Sequence, residues 1–223
     1  MKPQLFLIFL LINLTSFTLA ADPTVIIDTN MGKITVKLHP EKAPITVDNF
    51  LKYVKKEKYD NTIFHRVIKN FMIQGGGYEP GLTKLPTDLP IVNEASNGLK
   101  NEKGTIAMAR LPQPHTATNQ FFINLADNSF LDYPASGGGY AVFGTVVEGM
   151  SVVEKIGSMP TESILMFRDF PTKKVIINSI RLAGDASKAA EKKATDAKPA
   201  KGEAQPKQKA KVQNAGSKNQ SSQ

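Results

Sequence analysis

The stretch Phe64-His-Arg-Val-Ile-Lys-Asn-Phe-Met-Ile-Gln-Gly-Gly-Gly77 is the most distinctive part of this sequence. Residues 63–68 are rich in β-branched and aromatic side chains, which predicts a strand. Side chains alternate between the two faces of a strand, so Arg66 is predicted to share one face with Phe64 and Ile68. The Arg66 guanidinium would then emerge beside apolar neighbours.

A second segment, Asn119-Gln-Phe-Phe-Ile-Asn124, is divided by the same alternation into two faces. One face is apolar and is predicted to join the core: Phe121, Ile123 and Leu125. The other face combines an aromatic ring with amides: Gln120, Phe122 and Asn124. An apolar floor with a few polar groups is typical of a ligand pocket, and Met72 with Gln74 forms a similar pair. Taken singly, such residues are more often core or solvated surface.

The remaining pattern predicts a mainly β domain. Further strands are expected at residues 24–28, 33–38, 105–109, 120–125, 141–147 and 175–182. One helix is expected where an apolar stripe recurs at helical spacing, at Val47, Phe50, Leu51 and Val54. Thr46 is its predicted cap, and a second, shorter helix at residues 150–156 would end at Gly157. Many short strands with two helices indicate either a closed antiparallel barrel or a sandwich.

The composition excludes several classes of site. The chain has no cysteine, which excludes disulfide scaffolds, thiolate zinc sites and thiol nucleophiles. Its three histidines, His39, His65 and His115, lie too far apart to form a local metal motif. The triplet at residues 75–77 is followed by Pro80 where a dinucleotide fingerprint needs glycine. We therefore expect neither a metal nor a cofactor.

The formal net charge of +8 is concentrated at the C-terminal end. Residues 183–223 contain nine lysines, four acidic residues, one large aliphatic residue and no aromatic residue. Such a segment cannot bury enough apolar surface to fold, so we predict a disordered tail. Without the tail and Lys2, residues 21–182 carry a net charge of +2, so no specific nucleic-acid partner is expected. The tail is compatible with weak polyanion contact or with a solvated spacer.

Residues 1–20 have the pattern of a secretory signal peptide. Lys2 precedes an apolar run at residues 5–14, and Thr18 and Ala20 stand at the positions where small residues are needed. We predict cleavage after Ala20 and export, to the periplasm or as a secreted protein. The alternative is a retained membrane anchor, for which the apolar run is short against a bilayer core of about 30 Å.

The motifs Phe-His-Arg-Val-Ile and Phe-Met-Ile-Gln-Gly-Gly, together with Gln-Phe-Phe-Ile, make residues 22–182 similar to cyclophilin-type peptidyl-prolyl cis–trans isomerases. The sequence looks close to the exported bacterial members of that family. The resemblance implies a closed eight-stranded antiparallel β-barrel capped by two α-helices, with a proline pocket on its outer surface. It also implies a reaction without a cofactor.

The resemblance implies roles for individual residues. Arg66 matches the catalytic arginine of the family. The proline pocket is matched by Phe71, Met72, Phe122 and Leu131. The groove that holds the residues around the proline is matched by Gln74, Ala109 and Gln120. Phe130 and Tyr140 complete the predicted substrate-binding set, where many eukaryotic members have Trp and His, and Arg110 replaces a common asparagine.

This residue set suits rotation about a peptide bond, which needs neither a nucleophile nor a metal. Amide resonance gives that rotation a barrier of about 18–20 kcal/mol. In the twisted transition state the prolyl nitrogen becomes a better hydrogen-bond acceptor, so a fixed guanidinium stabilises that state more than either planar state. We therefore predict a monomeric enzyme that acts on Pro-containing segments of unfolded or exported proteins.

Two other functions are compatible with the same sequence. A non-catalytic holdase would use the groove to retain Pro-containing segments without accelerating their exchange. A function centred on the tail would dock the protein on nucleic acid or on an anionic envelope polymer. The combination of Arg66 with Phe71, Gln74 and Phe122 favours the enzyme.

Overall fold

The computed structural model describes residues 22–185. The strands are β1 (Thr24–Thr29), β2 (Gly32–Leu38), β3 (Thr62–Ile68), β4 (Met72–Gly75), β5 (Thr105–Met108), β6 (Phe121–Asn124), β7 (Val142–Glu148), β8 (Thr161–Ile164), β9 (Phe167–Pro171) and β10 (Val175–Leu182). The helices are α1 (Pro44–Lys55), α2 (Ala135–Gly138) and α3 (Met150–Gly157). The predicted signal peptide at residues 1–20 lies outside the described residues, as does the predicted tail apart from residues 183–185.

Eight strands close into a barrel in the order β1-β10-β3-β4-β6-β5-β7-β2 and back to β1. Every neighbouring pair around the barrel is antiparallel. The predicted closed antiparallel barrel is therefore confirmed, and the sandwich is excluded. Among residues 22–185, no helix is both long enough and apolar enough to cross a bilayer.

The two predicted helices correspond to α1 and α3. α2 is a single turn in which Ser136 and Gly137 have left-handed φ values of 50° and 66°. Strand side chains fill the barrel interior, and α1 contributes Phe50, whose ring centroid lies 5.2 Å from those of Tyr59 and Phe143. Buried aromatic rings contribute large apolar areas, so this cluster stabilises the barrel on whose outer face the remaining residues lie.

The cap of α1 differs from the prediction. α1 begins at Pro44, which suits a first helical position because proline has no N–H to satisfy there. Thr46 is therefore already inside the helix, and the carboxylate of Glu94 caps the helix instead. It accepts hydrogen bonds from the Ile45 N–H at 3.1 Å, the Thr46 N–H at 2.8 Å and the Thr46 hydroxyl at 2.7 Å. The prediction that Thr46 caps α1 was wrong, because the capping group comes from a distant part of the chain.

A β-bulge in β3 corrects the predicted orientation of Arg66. Phe64 pairs with Gly75 but Arg66 pairs with Gln74, so β3 advances by two residues while β4 advances by one. A bulge of this kind interrupts the alternation of side chains. Phe64 is fully buried in the barrel core, whereas the Arg66 side chain is 43% exposed on the outside. Placing both on one face was therefore wrong.

β8 and β9 form a hairpin outside the barrel that the sequence pattern did not predict. The hairpin is held against β3 by a small buried cluster of Ile63, Phe167 and Phe170. β8 is almost wholly exposed, and β9 contains charged residues and a proline, so neither strand has the alternating pattern that would reveal it.

Candidate active site

A cavity of about 270 Å³ lies on the outer surface of the barrel. It is lined by Arg66, Phe71, Met72, Gln74, Ala109, Arg110, Phe122, Leu131 and Tyr140. All of these except Arg110 are residues that the sequence assigned to the catalytic or substrate-binding set. The structure thus brings most of the predicted set to one place, while the roles assigned to its members stay predictions.

Strand pairing explains why three of these side chains form a row. Arg66 on β3 pairs with Gln74 on β4, and Gln74 pairs with Phe122 on β6. Directly paired residues project from the same face of a sheet. The bulge in β3 is what puts Arg66 into this row, because without it the guanidinium and the buried Phe64 ring would share a face.

The floor of the cavity is apolar. Met72, Ala107, Phe122, Leu131 and Val142 form one buried cluster, with Phe71, Ala109 and Tyr140 packed against it. Phe71 and Met72 can both contact this cluster because β4 begins only at Met72, and Phe71 belongs to the preceding turn. An apolar floor of this kind favours an apolar ring over a charged or strongly hydrated group.

Two predicted residues lie beside the cavity instead of lining it. Phe130 is 55% exposed at the rim, and its ring stacks on Phe71 with centroids 5.5 Å apart. Gln120 accepts a hydrogen bond of 2.9 Å from the Gln74 amide and lines the two neighbouring surface cavities. Gln74 therefore faces the apolar cavity while Gln120 fixes the orientation of its amide.

Arg66 is one of two arginines that line the cavity, the other being Arg110. The Arg66 Nε lies 3.6 Å from Oδ2 of Asp169 on β9. The Arg66 side chain is 43% exposed and the Asp169 side chain is 39% exposed. The Arg66 guanidinium donates no hydrogen bond to any residue in the described range 22–185, so the guanidinium N–H groups are available to a bound peptide. Asp169, which the sequence analysis did not single out, restrains the guanidinium from the side of the hairpin.

Arg110 organises the opposite rim of the cavity. Its Nε donates to the Gly139 carbonyl at 2.9 Å, and Nη1 and Nη2 donate to carbonyls of residues 111–112 and 136–137. Its Cζ lies 4.4 Å from the centre of the Tyr140 ring, and Tyr140 packs edge-on against Phe122. In the sequence, Arg110 is only a departure from the family pattern, since its backbone partners come from loops that the sequence does not show to be close.

His65, next to Arg66, is a buried neutral group. Burial is the main reason that its pKa is lowered to about 4, so it carries no charge near pH 7. Its Nδ1 has no hydrogen-bond partner among residues 22–185, and its ring packs edge-on against Tyr78 and Phe167. In the same part of the chain, no three His, Cys, Asp or Glu side chains come together as a metal site.

A closed antiparallel barrel with an arginine beside an apolar cavity on its outer surface defines a cyclophilin-type protein. Comparison with known proteins agrees: the family described as "Cyclophilin type peptidyl-prolyl cis-trans isomerase/CLD" matches residues 24–182. The chain belongs to the cyclophilin family, and it is a peptidyl-prolyl cis–trans isomerase.

Relatives named as peptidyl-prolyl cis-trans isomerases match about 70% of this chain. Peptidyl-prolyl cis-trans isomerase B of Escherichia coli is 53% identical over 158 residues, which is 70% of this chain and 96% of that protein. A peptidyl-prolyl cis-trans isomerase of Acinetobacter baylyi is 51% identical over 73% of this chain and 86% of its own length. A cyclophilin-type isomerase of Cryptosporidium parvum has a crystal structure that matches with a TM-score of 0.61 at 27% identity, covering 72% of this chain and 97% of that chain.

Proposed function

We propose that Arg66 is the catalytic group of this isomerase and that the apolar cavity holds the prolyl ring of the substrate. The ring would sit on the floor formed by Phe71, Met72 and Phe122 while the adjoining chain rotates about the X–Pro bond. As the bond twists, the prolyl nitrogen loses its amide resonance and its lone pair becomes available. A hydrogen bond from Arg66 to that nitrogen would lower the barrier because neither planar isomer can accept it equally well.

The required acceleration sets how far the protein must lower the barrier to rotation about the X–Pro bond. Uncatalysed X–Pro exchange takes tens to hundreds of seconds. A turnover of about 10³ per second therefore needs roughly five decades of acceleration, or about 7 kcal/mol. A charged donor aimed at the prolyl nitrogen beside an apolar floor can supply part of this, because a preorganised donor stabilises the charge distribution of the twisted state. Poor solvation on the floor also favours the less charge-separated twisted amide.

One observation carries this proposal. The Arg66 guanidinium makes no hydrogen bond within residues 22–185 and borders a cavity whose floor is apolar and buried. The Gln74 amide on the same wall is held by Gln120 and supplies a polar contact for the substrate backbone. The arrangement combines one directed donor with one apolar seat for a ring.

Exchange NMR on a short Ala-Pro peptide tests the proposal. Adding the protein in catalytic amount should bring cis–trans exchange from tens to hundreds of seconds to below about one second, while the cis population at equilibrium stays the same. If the peptide binds without faster exchange, the protein is a holdase of Pro-containing segments and the catalytic role proposed for Arg66 is wrong.

We further propose that the substrates are unfolded proteins outside the cytoplasm, where slow X–Pro isomerisation limits folding. The support is the N-terminal sequence, in which Lys2, the apolar run at residues 5–14 and the small residue Ala20 have the arrangement of a cleaved signal. Expression of residues 1–223 in a Gram-negative host should give a periplasmic protein that begins at Ala21 by mass spectrometry. A cytoplasmic protein that retains residues 1–20 would overturn this part of the proposal.

A further inference from the structure

A second cleft, of about 420 Å³, lies between the barrel and the β8–β9 hairpin. It shares Arg66 and Gln74 with the apolar cavity, so the two adjoin at these side chains. An extended peptide spans about 3.3–3.6 Å per residue. A peptide with its proline in the apolar cavity can therefore continue into this hairpin cleft within a few residues.

The walls of the hairpin cleft are built and packed. The rings of His65 and Tyr78 have centroids 4.8 Å apart, and so do those of Tyr78 and Phe167. Phe167 and Phe170 anchor β9 against β3 through Ile63. These ring contacts hold β9 against the barrel and form one wall of the cleft.

An irregularity in β9 turns two charged residues toward the cleft. Asp169 has a left-handed φ of 58°, which interrupts the alternation along the strand. Arg168 and Asp169 consequently both line the cleft although they are neighbours in sequence. A non-glycine residue in this conformation is uncommon and concentrates at sites where a side chain must be aimed.

The charges in the cleft leave one cation without a partner. Asp169 faces Arg66 at 3.6 Å, so these two charges largely offset one another. Burial keeps His65 neutral. The Arg168 side chain lines the cleft, is exposed, and makes neither an ion pair nor a hydrogen bond with any residue of the described range 22–185. The cleft therefore carries a net positive charge, which comes from Arg168.

We propose that the hairpin cleft is a subsite for the peptide segment flanking the proline and that Arg168 selects an acidic side chain in that segment. The proposal rests on the proposed function of the Arg66 cavity, because it needs the proline to be seated there. Arg168 acts on substrate choice alone, and the rotation step does not involve it.

Charge reversal with matched peptides tests the subsite. We would measure KM and kcat by exchange NMR for peptides that contain Ala-Pro with a single Glu or Lys two residues before or after that dipeptide, and for an all-Ala reference. The proteins are wild type, Arg168→Glu and the control Lys33→Glu, which makes the same charge change at an exposed position on β2, outside the cleft.

Wild type should have a KM about two- to five-fold lower for Glu than for Lys on one side of the proline, the size of a solvent-exposed ion pair. Arg168→Glu should invert that preference, and Lys33→Glu should behave as wild type. In 1 M salt the preference should disappear, because the Debye length falls to about 3 Å.

Equal KM values for Glu and Lys on both sides in wild type, or a preference that Arg168→Glu leaves unchanged, would overturn the subsite. The all-Ala reference separates this result from a failure of the proposed function. If wild type accelerates the reference, only the subsite is wrong; if it does not, the catalytic proposal for Arg66 is wrong as well.

Discussion

At the scale of single residues, Arg110 connects the rim of the active-site cavity to its floor. Its guanidinium bonds carbonyls of two loops and stacks on Tyr140, whose ring packs against Phe122. A lysine would retain the charge but has no planar fork to reach several carbonyls at once. The rim should therefore loosen in Arg110→Lys.

We predict that Arg110→Lys raises KM for an Ala-Pro peptide by about three- to ten-fold, equivalent to about 1 kcal/mol of lost binding, with a smaller effect on kcat. Arg181→Lys is the matched control, because Arg181 also makes a forked interaction, with Asp60 at 2.7 Å for Nη1, but does not line the cavity. Arg181→Lys should lower the melting temperature without changing KM. Equal KM changes in both variants would show that Arg110 acts only through general stability.

His65 makes stability depend on pH. Its pKa is lowered by burial from 6.5 to about 4 in the folded protein, so the unfolded chain binds its proton more tightly. The stabilisation due to neutral His65 is then fully present above pH 6.5 and is lost as the pH falls from 6.5 toward 4. The full shift corresponds to about 3 kcal/mol.

Urea unfolding of wild type and His65→Phe between pH 7.5 and about 4 measures this effect. Phenylalanine keeps an aromatic ring against Tyr78 and Phe167 but does not titrate. The difference in unfolding free energy between the two proteins should shift in favour of His65→Phe by up to about 3 kcal/mol as the pH falls. Parallel stability curves would contradict the buried, neutral state of His65.

At the scale of secondary structure, the capping of α1 shows what a sequence pattern can and cannot locate. The apolar stripe at Val47, Phe50 and Val54 correctly placed the helix, since those side chains are buried in the core. The capping carboxylate of Glu94 lies 48 residues from Thr46 along the chain, and no local pattern marks such a partner. Features that depend on neighbouring residues in the sequence were predictable, and features that depend on residues far apart in the sequence were not.

Removal of the distant cap should destabilise the protein. Glu94→Ala leaves the N–H groups of Ile45 and Thr46 without their acceptor, and we expect a loss of about 1–2 kcal/mol in unfolding free energy. Glu41→Ala is the control, an exposed carboxylate removed in the turn before α1. Chemical denaturation should distinguish the two variants. A loss for Glu94→Ala no larger than that for Glu41→Ala would show that the cap contributes nothing to stability.

At the active site, the bulge in β3 and the β8–β9 hairpin could not be predicted from the local sequence either. Strand alternation correctly separated the core residue Phe121 from the pocket residue Phe122. It failed for Phe64 and Arg66, because a bulge depends on the pairing with β4 and not on composition. Asp169, the ion-pair partner of Arg66, was missed for a similar reason, since only the folded hairpin brings it near.

At the scale of the whole molecule, the short strands correctly predicted an antiparallel β domain, while closure of the barrel instead of a sandwich followed from the family resemblance. β1 pairs with its neighbour in sequence, β2, on one side and with β10 on the other. The pairing with β10 brings residues near the two ends of the described range together in one sheet. Pairings of this sequence separation leave little trace in the local pattern. The residues that line the cavity were predictable from the family motifs, whereas the groups that contact Arg66 and Arg110 were not.

The folded domain should carry the activity without the lysine-rich segment. Deleting residues 186–223 removes nine lysines and three acidic residues from beyond the described domain. We predict that kcat/KM for a short peptide stays within about two-fold, while the salt needed to elute the protein from an immobilised polyanion falls. Unchanged elution after the deletion would contradict the weak polyanion contact expected of this segment.

The central claim is that the Arg66 guanidinium beside an apolar seat stabilises the twisted prolyl bond more than the planar one. The most direct test is exchange NMR of an Ala-Pro peptide with Arg66→Ala, together with a titration that measures peptide affinity and a melting curve. Exchange should slow by at least about a hundred-fold, with affinity and melting temperature nearly those of wild type, since an exposed charge adds little to folding. Wild-type exchange rates in this variant would contradict the claim.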